Sequence, residues 1–303
     1  MKKNPSLIIA AGKGCFTSCK GCYQFFGKKQ ASTEDLLNFV IQYKKMFNLK
    51  KITLAGGDPM TRRDIVELVN ELFKLNIDIY MDTVGKNFVG QSNIVFNDNG
   101  QAAYINPQKL KSKIKKIGIP LDGSNTNIIN TFRNKITLEE IEKIIKILND
   151  NNYNICINTV VNKNNIDDLE KIFEIIKKYK NISNWQLFQY SPIGTLGFKN
   201  RNLFEIDDLL FEEKIQELTK NNNTNIIIEG KSNTYRKLNY ILINSDGIVW
   251  QPSYNVSNLT FENEDANDDK NIIGTIYDKD IYTKIKKHLN NINAKMTNNN
   301  LKE

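Results

Sequence analysis

Short apolar runs and amphipathic stretches take turns along most of this chain. SLIIAAG (6–12) is almost continuously apolar, as a strand covered on both faces reads. After a polar, cysteine-bearing loop comes EDLLNFVIQYKKMF, whose apolar positions recur at helical spacing and which Ser32 to Asp35 open with a cap-like start. KKITLAGGDP then predicts a strand and turn, RRDIVELVNELFKL a helix, and NIDIYMDT a third strand. A polar interruption over 85–112 contains a hairpin-like piece, NIVFNDNGQAAYI, turning at Asn99 and Gly100. The alternation resumes with KIGIPLDG, TLEEIEKIIKILND, YNICINTVV, IDDLEKIFEIIKKY and WQLFQYSPIG. Strands separated by helical patterns of about 10 to 15 residues predict parallel βαβ units, here an α/β partial (β/α)6 TIM-like barrel. Its active residues belong on loops at the C-terminal ends of the strands.

From about residue 231 the period changes. YILINSDGIVWQ reads as a hairpin turning at Ser245 to Gly247, followed by the acidic loop ENEDANDD and a last helix near KIKKHLNN, frayed from Lys295. The chain thus divides into a core over 1–230 and a small C-terminal α+β extension over 231–303. Tyr235, Arg236, Tyr240, Trp250 and Tyr254 in that extension read either as its own core or as a wall across the barrel mouth.

Composition changes this picture little. The chain has 303 residues, 40% hydrophobic and 25% charged, the profile of a folded globular protein. Its net charge of +8 is spread over helix faces where lysines alternate with acids, which disfavours a nucleic-acid surface. MKKNPSLIIAAGKG imitates a secretory signal, but its apolar core of about six residues is too short, and no window reaches the roughly 18 to 20 apolar residues of a membrane span. A cytoplasmic location follows as an expectation, with thiols kept reduced.

Three of the four cysteines then carry the chemistry. Cys15, Cys19 and Cys22 follow the first strand with the spacing C-x3-C-x2-C. Three thiolates on one loop suit three corners of a 4Fe-4S cluster and leave the fourth iron open. Structural zinc would need a fourth ligand, for which Cys156 and His288 are the spare residues.

This loop resembles the signature of the radical S-adenosylmethionine (SAM) superfamily, and Gly56, Gly57, Asp58 and Pro59 resemble that family's GGEP-type turn after the second strand. The resemblance extends over about residues 6–230. It implies an enzyme whose cluster, reduced by a one-electron donor such as flavodoxin or ferredoxin, cleaves SAM to a 5′-deoxyadenosyl radical that removes hydrogen from a substrate. Gly56 and Gly57 let backbone approach the methionine ammonium, and Asp58 supports the turn. IPLDG with Arg133 resembles the region where the subgroup of molybdenum-cofactor cyclases, viperins and peptide-modifying enzymes pairs an arginine with the SAM carboxylate. Asn158 resembles a polar residue touching the adenosine, and Ser191 to Gly194 the turn beside adenine. Gly21 stands where the family has an aromatic, with Tyr23 one place after the motif as the substitute contact. Pro120 replaces a common serine, and the extension has no cysteines for the auxiliary clusters of many peptide maturases.

The resemblance favours a ribosomally made peptide as substrate, matured or epimerised, with a nucleotide or sugar-nucleoside as the second reading and a non-catalytic zinc module as the third. Cys156 and Asn158 share a strand face. If Asn158 faces the lumen, the Cys156 thiol becomes a candidate hydrogen-atom donor; its plainer reading is a small buried hydrophobe.

Overall fold

Capping residues start the helices where the sequence provides them. In the computed structural model, which describes residues 6–23, 29–90, 103–233, 240–251 and 272–299, Ser32 and Asp35 form a capping box on α1 (Thr33–Phe47), and Thr137 and Glu140 form another on α5 (Leu138–Asp150). The hairpin pattern of 93–105 and the acidic loop fall largely or wholly outside the described residues, as do Tyr235, Arg236 and Tyr254.

In chain order, β1 (Ser6–Gly12) and β2 (Ser18–Cys19) precede α1, followed by β3 (Lys51–Gly56), α2 (Ile65–Lys74) and β4 (Asp78–Asp82). Next come α3 (Gln108–Lys111), β5 (Ile114–Pro120), α4 (Thr126–Phe132), β6 (Arg133–Asn134), α5 (Leu138–Asp150), β7 (Ile155–Val161), α6 (Leu169–Ile176) and β8 (Ile182–Gln189). After α7 (Gly194–Lys199), α8 (Arg201–Phe204) and α9 (Asp208–Lys220) come β9 (Ile227–Lys231), β10 (Tyr240–Ile243), β11 (Ile248–Trp250), β12 (Ile272–Thr275) and α10 (Ile281–Asn299). The last helix continues past Lys295, where fraying was expected, as far as Asn299.

Ten strands form one sheet in the order β12-β11-β10-β1-β3-β4-β5-β7-β8-β9. Every neighbouring pair from β10 to β9 is parallel. The six expected strands are the centre of this run, β9 extends it on one side, and β10 extends it on the other. The sheet stays open, as a partial barrel, because β9 and β10 do not pair. The C-terminal hairpin is therefore joined to the core sheet through β1.

Strand alternation separates two environments. Leu7, Ile9, Ile155 and Ile157 pack into the core against the helices, while Ile8 and Asn158 face a cavity on the other side. Each such buried aliphatic side chain contributes about 1.5 to 3 kcal/mol, so the helix-facing layer holds the strand ends rigidly in register. No helix of the described residues is long and apolar enough to cross a membrane.

Candidate active site

The C-terminal ends of β3, β4, β5, β7 and β8, with Ile8 of β1, line one cavity of about 290 Å³. The thiol loop is fastened over it from two sides. The amide of Asp58 donates to the carbonyl of Gly14 at 2.7 Å, tying the loop to the turn after β3. On the other side β2 pairs with β6 in a two-stranded sheet, Cys19 opposite Arg133, and Lys20 N donates to the Phe132 carbonyl at 2.9 Å.

Cys15, Cys19 and Cys22 are half-buried and all line the cavity. The Thr17 hydroxyl lies 3.4 Å from the Cys15 sulfur and 3.7 Å from that of Cys19. Burial, then the nearby Asp58 carboxylate, push the Cys15 thiol up to about 11. Left to the protein alone this thiol stays protonated, whereas a cationic centre would ionise it. At Gly21 a Cβ would lie 2.5 Å from the Tyr190 ring and 2.7 Å from that of Phe132, so the glycine is what lets the loop lie against these aromatics.

The GGDP turn splits in two. Gly56 and Gly57 line the cavity, and Gly56 has φ +105° with no room for a Cβ, which would lie 2.4 Å from Ala10 Cα. Asp58 turns inward and is fully buried, accepting from Met60 N, the Thr83 hydroxyl and Val84 N at 2.7 to 2.9 Å. Burial pushes its carboxyl up to about 6, against the opposing pull of those three hydrogen bonds. Pro59 opens a short 3-10 turn and is buried, so these two residues shape the turn and do not line the cavity.

Arg133 and Asn158 line the cavity together with Tyr23. Arg133 donates from Nε to Asp122 at 2.7 Å and from Nη1 to the Cys19 sulfur at 3.2 Å. Asn158 Nδ2 donates to Asp82 at 2.9 Å, and its Oδ1 lies 3.5 Å from the Cys156 sulfur, the donor in that contact. Cys156 itself is 3% exposed and lies off the cavity wall. Burial, then Asp82, push its thiol up to about 12. Ser191 and Ile193 border the cavity, while Gly194, at φ +76°, packs against the Tyr23 backbone.

Other cavity residues were not singled out from the sequence. Asp82 and Thr83 end and follow β4, where an acid closing an apolar strand was the available signal. Burial raises the Asp82 carboxyl above its ordinary value, against the bond from Asn158 and the charge of Lys51. Tyr240, Leu242 and Trp250 bring the C-terminal hairpin into the wall. Tyr240 and Trp250, which the sequence did single out, stand level with Ser6 and Ile8 of β1, below the strand ends that form the mouth, and Trp250 is 2% exposed, so they wall the lumen and not the mouth.

Three thiols lining one cavity are a donor set that an iron–sulfur cluster can use. Among the described residues no three His, Cys, Asp or Glu side chains gather tightly enough to hold one metal ion. Each thiolate of a cluster binds its own iron, so the thiols must share a cavity without converging on a point. Of the two spare zinc ligands, His288 Nε2 is 2.8 Å from Gln251 Oε1, and Cys156 lies behind Asn158.

A parallel partial barrel with a three-cysteine loop at its mouth defines a class of barrel enzyme, and the comparisons make the class specific. The family model described as the Radical SAM superfamily matches residues 9–176, more than half of the chain, which therefore belongs to that superfamily. A relative named "Probable GTP 3',8-cyclase" from Pyrococcus horikoshii is 26% identical over 145 residues, 46% of this chain and 42% of the relative. Among solved structures, Streptococcus suis SuiB bound to S-adenosylmethionine superposes with a TM-score of 0.63 at 15% identity, over 82% of this chain and 60% of SuiB. The structure of anSMEcpe with bound AdoMet and the Cp18Cys peptide gives 0.57 at 18% identity, over 90% and 78% of the two chains. This chain thus spans less than half of the cyclase relative and about three fifths of SuiB. The two structural likenesses establish the shared fold.

Proposed function

We propose that Cys15, Cys19 and Cys22 hold a single 4Fe-4S cluster and that SAM binds beside it, with its ammonium against the backbone of Gly56 and Gly57 and its carboxylate on Arg133. Asn158 and Tyr23 take the adenosine, and Asp58 and Pro59 hold the turn that presents the glycines. When bound, the pair supplies reductive cleavage of SAM to a 5′-deoxyadenosyl radical, which removes hydrogen from an unactivated carbon. The supporting observation is that three thiols, two glycines and one arginine from separate strand ends line the same cavity. The electron comes from a protein donor of the flavodoxin or ferredoxin kind. Residues 1–230 carry the cofactor site in this reading, and 231–303 shape the substrate side of the cavity.

The substrate we favour is a ribosomally made peptide, matured or epimerised. Of the described residues lining the cavity, Arg133 is the one cation, and Asp122 and Cys19 already engage it. A triphosphate would call for several basic groups. The wall from the C-terminal hairpin contributes Tyr240, Leu242 and Trp250, which suit a side chain with apolar surface. SuiB has also been solved with its precursor peptide SuiA, and anSMEcpe with the Cp18Cys peptide, which supports the same reading. A nucleotide substrate is the second reading, favoured by the name of the cyclase relative. In the epimerising outcome a hydrogen atom must be returned to the substrate carbon radical, and Cys156, buried off the cavity wall with its S–H on Asn158, is not placed to supply it.

Deuterium transfer separates the two substrate readings. The reconstituted enzyme is given SAM, dithionite and either perdeuterated candidate peptides or deuterated nucleoside triphosphates. Label entering 5′-deoxyadenosine from a peptide supports the first reading, and label entering from the nucleotide alone overturns it.

A further inference from the structure

Cys19 and Arg133 are register partners in the β2–β6 pairing, so the backbone itself places their side chains together. Nη1 of Arg133 stands 3.2 Å from the Cys19 sulfur while Nε is held at 2.7 Å by Asp122. Asp122 is 1% exposed, and its other oxygen accepts from Val160 N at 2.8 Å. The guanidinium is therefore aimed at the sulfur by a carboxylate that is itself fixed to β7. An arginine swinging freely at the mouth would have no such second anchor.

We propose that Arg133, positioned by Asp122, sets the reduction potential at the thiol loop through its hydrogen bond to the Cys19 sulfur, a role separate from any contact with SAM. The inference rests on the cluster reading above. Accepting one electron from an external low-potential donor adds one negative charge, part of which resides on the cysteine sulfurs. An N–H donor on a ligand sulfur stabilises that more negative form and raises the potential. The Asp122–Arg133 pair is neutral as a whole, so it acts as an oriented dipole whose positive end lies on Cys19. Replacing Arg133 removes that end and leaves the Asp122 carboxylate facing the loop, which moves the potential down.

The test is a redox titration of the full-length, anaerobically reconstituted protein without SAM, following the reduced cluster by electron paramagnetic resonance. Arg133→Gln is expected to shift the midpoint negative by at least a tenfold change in the one-electron equilibrium, 59 mV. Arg133→Lys keeps the charge but not the fork that bonds Asp122 and Cys19 together, so its midpoint should fall between the two. If Arg133→Gln loads no cluster, the lysine variant decides alone: a midpoint negative of wild type at equal iron and sulfide content supports the inference, and one equal to wild type overturns it. Midpoints equal to wild type at equal iron and sulfide content overturn this inference and leave the cluster reading standing. Wild-type protein that loads no cluster overturns both.

Discussion

The Asp58 carboxylate bridges two strand ends: it belongs to the turn after β3 and accepts from the hydroxyl of Thr83, just beyond β4, at 2.7 Å. Because the carboxylate also satisfies Met60 N and Val84 N, removing it strands three buried donors. Asp58→Ala should cost about 2 to 4 kcal/mol by this argument, measured by urea denaturation.

The same residue predicts a pH dependence. Its folded value of about 6 lies above the ordinary aspartate value near 4, so the folded state binds this proton more tightly than the unfolded state. The contribution to stability is fully present below about pH 4 and is lost as pH rises through about 6. Relative to Asp58→Asn, wild type should therefore lose stability between those limits and run parallel above them. A wild-type curve that instead gains on the variant over that window would reverse the assigned sign.

Gly21→Ala should loosen the thiol loop. The added methyl meets the rings of Phe132 and Tyr190, and overpacking of this kind costs about 1 to 3 kcal/mol. Since that strain falls on the loop, iron and sulfide content after reconstitution should drop severalfold while the far-ultraviolet circular dichroism stays that of wild type.

Cys156→Ala distinguishes the two readings of the buried thiol. Its sulfur touches Asn158 and lies off the cavity wall, so cluster content and deoxyadenosine formation should stay within about twofold. With a peptide substrate in deuterated water, return of label to the abstracted carbon should likewise stay within about twofold, as for a thiol that only packs. A fall of about tenfold or more would assign the thiol to hydrogen return.

Tyr240→Ala addresses the C-terminal hairpin. Tyr240 lines the cavity from β10, on the side away from Asn158 of β7 in the strand order. The substrate KM should rise about tenfold or more, a loss of roughly 1.4 kcal/mol of binding. Deoxyadenosine formed without substrate should be unaffected.

Much of this architecture was legible because six strands are short apolar runs and the helices between them are amphipathic, α1 and α5 opening on capping boxes. Long-range pairing was less so. Nothing in IIEGK marks β9 as a seventh parallel strand, with Ile227 57% exposed at the sheet edge. The hairpin of β10 and β11 was readable from its turn, but its parallel attachment to β1 depends on a neighbour more than 200 residues away in sequence. At the site, the cysteines and glycines were legible from spacing. The inward aim of Asp58 was hidden because turn residues show no periodicity that assigns a face. The Arg133–Cys19 contact was hidden because a two-residue strand carries no pattern at all.

The most direct test of the central claim is the formation of 5′-deoxyadenosine by anaerobically purified, iron- and sulfide-reconstituted protein given dithionite and SAM, read by mass spectrometry beside Cys19→Ala. The account predicts product from wild type and none above background from the variant. A wild-type protein that takes up zinc in place of iron and sulfide, or that yields as much product with Cys19 replaced, would contradict it.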